Sequence, residues 1–263
     1  MGELELIQQF EKDFIEAGKM AMRLRKDATV EDKFDSGIKD IDIVTSADLA
    51  VQEFILKKLA ESELKNCEMV AEENTPSKNL FAESSDLVIT VDPIDGTMLY
   101  ANGKKMYSVI VMLHNKKDPL YTFVYFPEVN WGVKIVEKDC NFFGEKPIFP
   151  NVNSHSKTII HFTSVNPKTC APDIYQEAIN EGYKFVVRNQ VDDGISSIGQ
   201  FLLGKVDGYF ACNGSAVDCL VALHYALANN YKIYRNLDIS KLSQSKLSGK
   251  RDEYRGYYLV LCS

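Results

Sequence analysis

Residues 87–97 read Leu-Val-Ile-Thr-Val-Asp-Pro-Ile-Asp-Gly-Thr, and this stretch restricts the fold more tightly than any other. The apolar, β-branched run 87–91 predicts a short buried strand. Asp92-Pro93 is expected to end it, because proline cannot donate to a sheet ladder. Asp95 follows three residues after Asp92, then Gly96 and Thr97. Such a turn can hold two carboxylates side by side at the mouth of a sheet, with backbone N–H groups just beyond them. Hard divalent cations take those oxygens, and a phosphate bridging them takes the N–H donors. Aspartate and glycine also populate ordinary turns, so a plain polar connection is the competing reading. Two acids flanking Pro-Ile and followed by Gly-Thr favour the site.

The chain before this motif is helical, then loop, then helical again. Leu4, Ile7, Phe10, Phe14, Ala17 and Ala21 recur at helical spacing within residues 3–25, which predicts an amphipathic core helix. Residues 26–41 are charged and contain glycine, as a loop would. Thr45-Ser46-Ala47-Asp48 then opens a second helical pattern over about 49–64. On its residues alone Asp48 reads equally well as a helix cap and as a chemical group. Residues 67–71 form a strand-like run that delivers Glu72-Glu73 at its end. Consecutive strands usually neighbour each other, so Glu72 and Asp92 could converge.

Residues 107–114, 120–126 and 131–137 predict three further strands in an antiparallel sheet. Residues 145–157 carry two prolines, two serines and two asparagines and suggest a boundary between an α+β domain, 1–145, and an α/β domain, 146–263. Beyond it strand-like runs (158–162, 183–188, 206–212) alternate with helical ones (171–182, 195–203, 216–229), the pattern of a layer with parallel strands. Asp218 falls in the first turn of the last helix, where an acid is usually a dipole partner.

At 263 residues the chain can bury a substantial core, and its net charge of −7 argues against nucleic-acid binding. No stretch approaches a membrane span, and the N-terminus lacks the pattern of a signal peptide. Six scattered cysteines with no Cys-x-x-Cys pair suit reduced thiols in a cytoplasmic protein. The four histidines lack metal-ligand spacing, and core or surface roles are expected for them. Walker, Gly-x-Gly-x-x-Gly and Gly-x-Ser-x-Gly motifs are absent. The aspartates are three apart, whereas the nucleophile and acid of haloacid-dehalogenase-type phosphatases are two apart. What remains is an oxygen-only set, Glu72, Asp92, Asp95 and Asp218, suited to Mg²⁺ or Mn²⁺ rather than zinc. Two such ions can clamp a phosphate and activate a water.

In this order the motifs resemble the inositol monophosphatase superfamily of metal-dependent, lithium-sensitive phosphatases. Asp48 behind Val44-Thr45-Ser46, Glu72-Glu73, and Asp92-Pro-Ile-Asp95-Gly-Thr97 carry the resemblance, with Asp218 a weaker fourth. It implies an αβαβα layered sandwich, often a homodimer, acting on a small phosphorylated metabolite. It implies that Glu72, Asp92 and the Ile94 carbonyl bind one Mg²⁺, that Asp92, Asp95 and Asp218 bind a second, and that Glu72 helps hold a third. Thr97 and Asp48 would orient and deprotonate the attacking water, and the Gly96-Thr97 amides would receive the phosphate without a phosphoenzyme. The departures lie on the alcohol side. Val217-Asp218-Cys219 replaces the usual Trp-Asp-x, and Ala211 stands at the position of an inositol-contacting glutamate. Asp192-Asp193-Gly194 replaces a small-residue substrate loop, and Met98-Leu99 replaces a polar residue and asparagine. Inositol monophosphate, 3′-phosphoadenosine 5′-phosphate and sugar (bis)phosphates are the expected substrates. A catalytically weak regulator that binds phosphorylated ligands is the alternative of another class.

Overall fold

The computed structural model describes residues 2–32, 43–115, 117–148, 155–161, 166–187, 194–212, 216–235 and 257–262. Two helices open the chain, α1 (Glu3–Ile7) and α2 (Glu11–Leu24), separated by a 3-10 turn at Gln8–Phe10. The single helix expected over 3–25 is therefore broken once. The buried stripe Ile7, Phe14, Ala17 and Ala21 nevertheless faces one core. Burying a side chain the size of Phe14 stabilises by roughly 1.5–3 kcal/mol, and its ring meets that of Phe123 at 5.4 Å. A short ribbon, β1 (Val30–Asp32) with β2 (Ile43–Thr45), leads into α3 (Ser46–Ala60). Val51, Ile55 and Leu59 of α3 join the same core.

Six strands form the first sheet. They are β3 (Glu68–Ala71), β4 (Leu87–Asp95), β5 (Ser108–Asn115), β6 (Pro119–Phe126), β7 (Trp131–Val136) and β8 (Asp139–Gly144), in that spatial order. Only β3 and β4 run parallel; the rest form an antiparallel meander, as expected for the strands near 107–137. The short helix α4 (Thr97–Ala101) follows β4. One face of the sheet packs on α2 and α3. The other packs on α7 (Ser197–Leu202) and α8 (Ala216–Ala228).

Beneath those two helices lies a five-stranded sheet of β9 (His155–His161), β10 (Lys184–Val187), β11 (Val206–Cys212), β12 (Lys232–Arg235) and β13 (Tyr257–Leu261), ordered β10-β9-β11-β13-β12. Strands β9, β10 and β11 are parallel, as the alternating pattern predicts, but β13 pairs antiparallel with β11 and β12. Helices α5 (Pro167–Cys170) and α6 (Pro172–Asn180) cover its far face around Phe210 and Leu259. The layers thus run αβαβα, and the middle core draws Val88 and Met112 from one sheet, Leu220 and Val221 from α8, and Tyr209 and Tyr258 from the other sheet. The expected boundary at 145/146 lies between β8 and β9, partly outside the described residues.

Two histidines are built into this frame. His224 of α8 bridges Thr122 Oγ1 (2.7 Å from Nδ1) and the Glu137 carbonyl (2.9 Å from Nε2). His114 of β5 bridges Thr90 Oγ1 (3.1 Å from Nε2) and the Asn115 carbonyl (3.1 Å from Nδ1). Each carbonyl can only accept, so each ring donates there and accepts the threonine hydroxyl on its other nitrogen. Burial pushes both imidazoles down to about 4, which keeps them neutral. The expected core role holds for both. Cys67, Cys140, Cys170, Cys212 and Cys262 are unpaired thiols. Among the described residues no helix is long and apolar enough to cross a membrane.

Candidate active site

Pro93 does not end its strand; this corrects the reading of 87–97. Strand β4 continues to Asp95, but its register with β5 slips: Asp92 pairs with Ile110 and Asp95 with Ser108. Three steps on β4 therefore match two on β5, a bulge of one residue. A bulge leaves a ladder position unpaired, which is where a proline without an N–H is tolerated.

The bulge decides which way the two carboxylates point. Side chains alternate faces along a regular strand, so residues three apart would point in opposite directions. Residues directly opposite across an antiparallel pair share a face. Ile110 and Ser108, two apart on β5, lie on one face, so Asp92 and Asp95 do as well. The Ser108 hydroxyl confirms this by donating to Asp95 Oδ2 at 2.9 Å. Asp92 is 2% exposed, and its Oδ1 accepts from the Ile94 amide at 3.0 Å.

Glu72 directly follows the edge strand β3, and its backbone is still held to β4. Val70 pairs in parallel with Thr90 and Ala71 with Val91, and the Glu72 amide then donates to the Val91 carbonyl at 3.0 Å. By alternation Val70 and Glu72 share the face of Val88, Thr90 and Asp92. That face belongs to the middle layer, whose core includes Val70, Val88 and the α8 residues Leu220 and Val221. Helix α8 lies against both β3 and β4 and carries Asp218 in its first turn. The Asp218 side chain itself is outside the described set. Lys78, whose Nζ lies 3.4 Å from the Ala71 carbonyl, adds a cation beside these strand ends; burial lowers its pKa, and the Glu73 carboxylate opposes that shift.

Asp48 sits at the start of α3, where it caps the helix and also reaches Thr97. Its Oδ2 accepts from the Thr45 amide at 2.9 Å and from the Thr45 hydroxyl, which makes a reciprocal cap. Its Oδ1 stands 3.3 Å from Thr97 Oγ1, a contact 49 residues along the chain. The Thr97 hydroxyl also lies 3.2 Å from the Ile94 carbonyl. It has a single proton to share between the two acceptors. Gly96, at φ 87°, makes the turn from β4 into α4, a conformation that costs other residues about 1–2 kcal/mol.

Arg25 carried no sequence signal and proves to anchor α4. Its Nε donates to the Tyr100 carbonyl at 2.9 Å, Nη1 to Glu128 Oε1 at 2.8 Å, and Nη2 to the Lys104 carbonyl. The guanidinium also stands 5.0 Å from the ring centres of both Tyr100 and Tyr107. Burial pushes the Tyr100 phenol up to about 12. A five-residue helix cannot stand alone, and these contacts hold its far end.

The C-terminal half approaches from the other side. Ile195 bridges to Met106, and the Ser196 amide donates to the Met106 carbonyl at 3.0 Å. This brings Ser196 next to Gly96 and Gly194 against the aliphatic stem of Lys104. Asp192 and Asp193 lie outside the described residues. Ala211 is buried in the middle layer and presents only a methyl group there.

The donors Glu72, Asp92, Asp95 and the Ile94 carbonyl are all oxygen, and Asp92 and Asp95 each commit one oxygen to an orienting hydrogen bond. That chemistry fits a hard divalent cation. Among the described residues no three acidic, histidine or cysteine side chains already close into a cage, and the Asp218 side chain is not among those searched.

The whole layered fold recurs in solved structures. The chain superposes on the extragenic suppressor protein suhB from Bartonella henselae with a TM-score of 0.67, covering 97% of this chain and 93% of that one at 14% identity. An IMPase/NADP phosphatase complexed with Mg²⁺ and phosphate gives 0.65, covering 100% and 92% at 17% identity. A staphylococcal inositol monophosphatase-1 in a LiCl-soaked inhibitory complex gives 0.64, covering 100% and 92% at 17% identity. Among curated proteins, inositol monophosphatase 3 of Solanum lycopersicum is 26% identical over 153 residues, 58% of this chain. The chain spans little more than half of that relative, 56% of its length. The model of the inositol monophosphatase family matches residues 5–224, so the chain belongs to the inositol monophosphatase family.

Proposed function

We propose that the protein is a Mg²⁺-dependent phosphomonoesterase that hydrolyses a small phosphorylated metabolite. The observation that carries this reading is the β4 bulge, which turns Asp92 and Asp95 to one face beside Glu72. Family membership and the fold shared with an IMPase/NADP phosphatase holding Mg²⁺ and phosphate support it. Glu72, Asp92, the Ile94 carbonyl, Asp95 and Asp218 would hold two to three Mg²⁺, with Mn²⁺ able to substitute. Bound there, the ions supply Lewis-acid stabilisation of the phosphoryl oxygens and acidify a water.

The remaining work falls to the chain. Thr97 Oγ1 passes its proton toward Asp48 Oδ1, leaving its lone pairs free to take a proton from an attacking water. Thr45 grips the other oxygen of Asp48 twice, so the carboxylate is aimed before substrate arrives. The Gly96 and Thr97 amides, at the start of α4, receive phosphoryl oxygens as charge develops. Ser108 holds Asp95 and the Ile94 amide holds Asp92, so both carboxylates keep their direction. No residue of the chain is phosphorylated in this scheme.

On the alcohol side an inositol monophosphate-like ester is the first substrate to test, with Ala211 and the sequence Asp192-Asp193-Gly194 departing from the family's alcohol-binding residues. A 3′-phosphoadenosine 5′-phosphate or a sugar (bis)phosphate is the alternative within the class. Phosphate release from a panel of phosphorylated inositols, nucleotides and sugars, titrated with Mg²⁺, tests the proposal. Saturable Mg²⁺-dependent turnover is expected. Folded protein with no turnover across the panel and the Mg²⁺ range would instead favour a regulator that binds phosphorylated ligands.

A further inference from the structure

We propose that Gln52 is a positioning residue for Glu72, setting where that carboxylate stands relative to Asp48. The inference rests on the reading of Glu72 as a metal ligand. Gln52 is fully buried on α3, one helical turn after Asp48. Its amide makes a two-point grip on the peptide of Glu73. Nε2 donates to the Glu73 carbonyl at 2.9 Å, and Oε1 accepts from the Glu73 amide at 2.8 Å. The second N–H of Nε2 reaches Thr75 Oγ1 at 2.9 Å. The side chain thus extends the edge of the sheet by one rung, at the point where β3 has ended.

Glu72 is thereby fixed from both sides. Its own amide is held by the Val91 carbonyl of β4 at 3.0 Å, and the next peptide unit is held by α3. Without Gln52, the peptide between Glu72 and Glu73 would lose its hold on α3, and Glu72 could rotate out of line with Asp92. Because residues i and i+4 lie on one face of a helix, α3 presents Asp48 to Thr97 and Gln52 to Glu73 from the same stripe. One rigid element therefore spaces the proton-accepting side of the site from its metal-binding side. A leucine at 52 would also strand a buried N–H and C=O, so a loss of stability accompanies its loss of position. The test must separate the two.

Direct Mn²⁺ binding followed by electron paramagnetic resonance, with melting curves in parallel, makes that separation without needing turnover. Gln52→Leu is expected to weaken Mn²⁺ binding about 10-fold or more, in the range seen when residues that orient metal ligands are lost. Gln52→Asn keeps both the donor and the acceptor but stops one methylene short of the Glu73 backbone, so it should weaken binding by less. It also carries the test if Gln52→Leu fails to fold. Ser77→Ala is the control, because Ser77 ties the same segment to α3 through Glu53 (2.7 Å from its Oγ) without touching the Glu73 peptide. It should lower Tm and leave Mn²⁺ affinity unchanged. Gln52 variants that melt earlier yet bind Mn²⁺ as the parent does would overturn the proposal, provided Glu72→Gln weakens binding. A parent chain that binds no Mn²⁺, or a Glu72→Gln variant that binds as well as the parent, would instead bring down the metal-site reading and this inference together.

Discussion

The two sides of the candidate site are built on different principles. On the proposed metal side, Asp92 and Asp95 stand on β4, and Glu72 directly follows β3 at the edge of the same buried sheet. There, the Val91 carbonyl, the Ile94 amide and the Ser108 hydroxyl each fix one of them. On the proposed substrate side stand Gly194, packed on the stem of a lysine, and a buried alanine methyl at 211. The first set is carboxylates oriented by hydrogen bonds, whereas the second has no charged or hydroxyl side chain at either position. In the proposed reading the first set serves the ions, and the second leaves room for a different alcohol.

Substitutions on each side test that division. Asp92→Asn keeps the volume and can still accept from the Ile94 amide, so the fold should survive. Mg²⁺-dependent phosphate release should nevertheless fall by at least about 100-fold, beyond the cost of losing an orienting residue. Full activity in that variant would remove the metal side from the account. Thr97→Val should lower kcat by about 100-fold, the lower end of general-base contributions, with Mn²⁺ affinity unchanged. A parallel loss of Mn²⁺ binding would mean that Thr97 belongs with the ligands instead.

A smaller effect tests the sheet beneath both sides. His114 and His224 have folded pKa values pushed down to about 4, below the ordinary 6.5. The unfolded chain binds the extra protons first, so these groups contribute full stability above pH 6.5. They lose it as pH falls toward 4. At pH 5 each should cost about 2 kcal/mol relative to pH 7, from the free-energy equivalent of a pKa shift. Urea denaturation at the two pH values would read this, and His224→Gln should remove about half of the effect. Smallest of all, Gly194→Ala places a methyl 3.2 Å from Lys104 Cδ at a backbone φ of +80°. It should destabilise by about 1–2 kcal/mol and raise KM with little change in kcat. A fall in kcat alone would show that the substrate side is coupled to the metal side after all.

Much of this was legible in the sequence, for identifiable reasons. Helix α3 and strands β5, β6 and β7 follow periodicity, and Asp92, Asp95, Glu72 and Asp48 stand out because acids cluster at the ends of apolar runs. The bulge was not legible, because Pro93 reads as a stop unless the partner strand is known. Its consequence, two aspartates three apart on one face, depends on the pairing of Ser108 and Ile110 with them. Gln52 and Arg25 were invisible for a similar reason. Each acts through backbone groups 21 and 75 residues away, and a backbone carbonyl leaves no mark in the sequence. Strands β8, β12 and β13 were missed because their residues lack a strong apolar run or follow long polar stretches.

The bulge turns Asp92 and Asp95 to the face beside Glu72, and the proposed function places a hard cation among them. A crystal grown with Mn²⁺ and measured at its absorption edge addresses this most directly. An anomalous peak is expected within coordination distance of all three carboxylates, on the face covered by α8. A well-ordered site with no peak there, or with Glu72 turned to solvent away from Asp92, would contradict that placement.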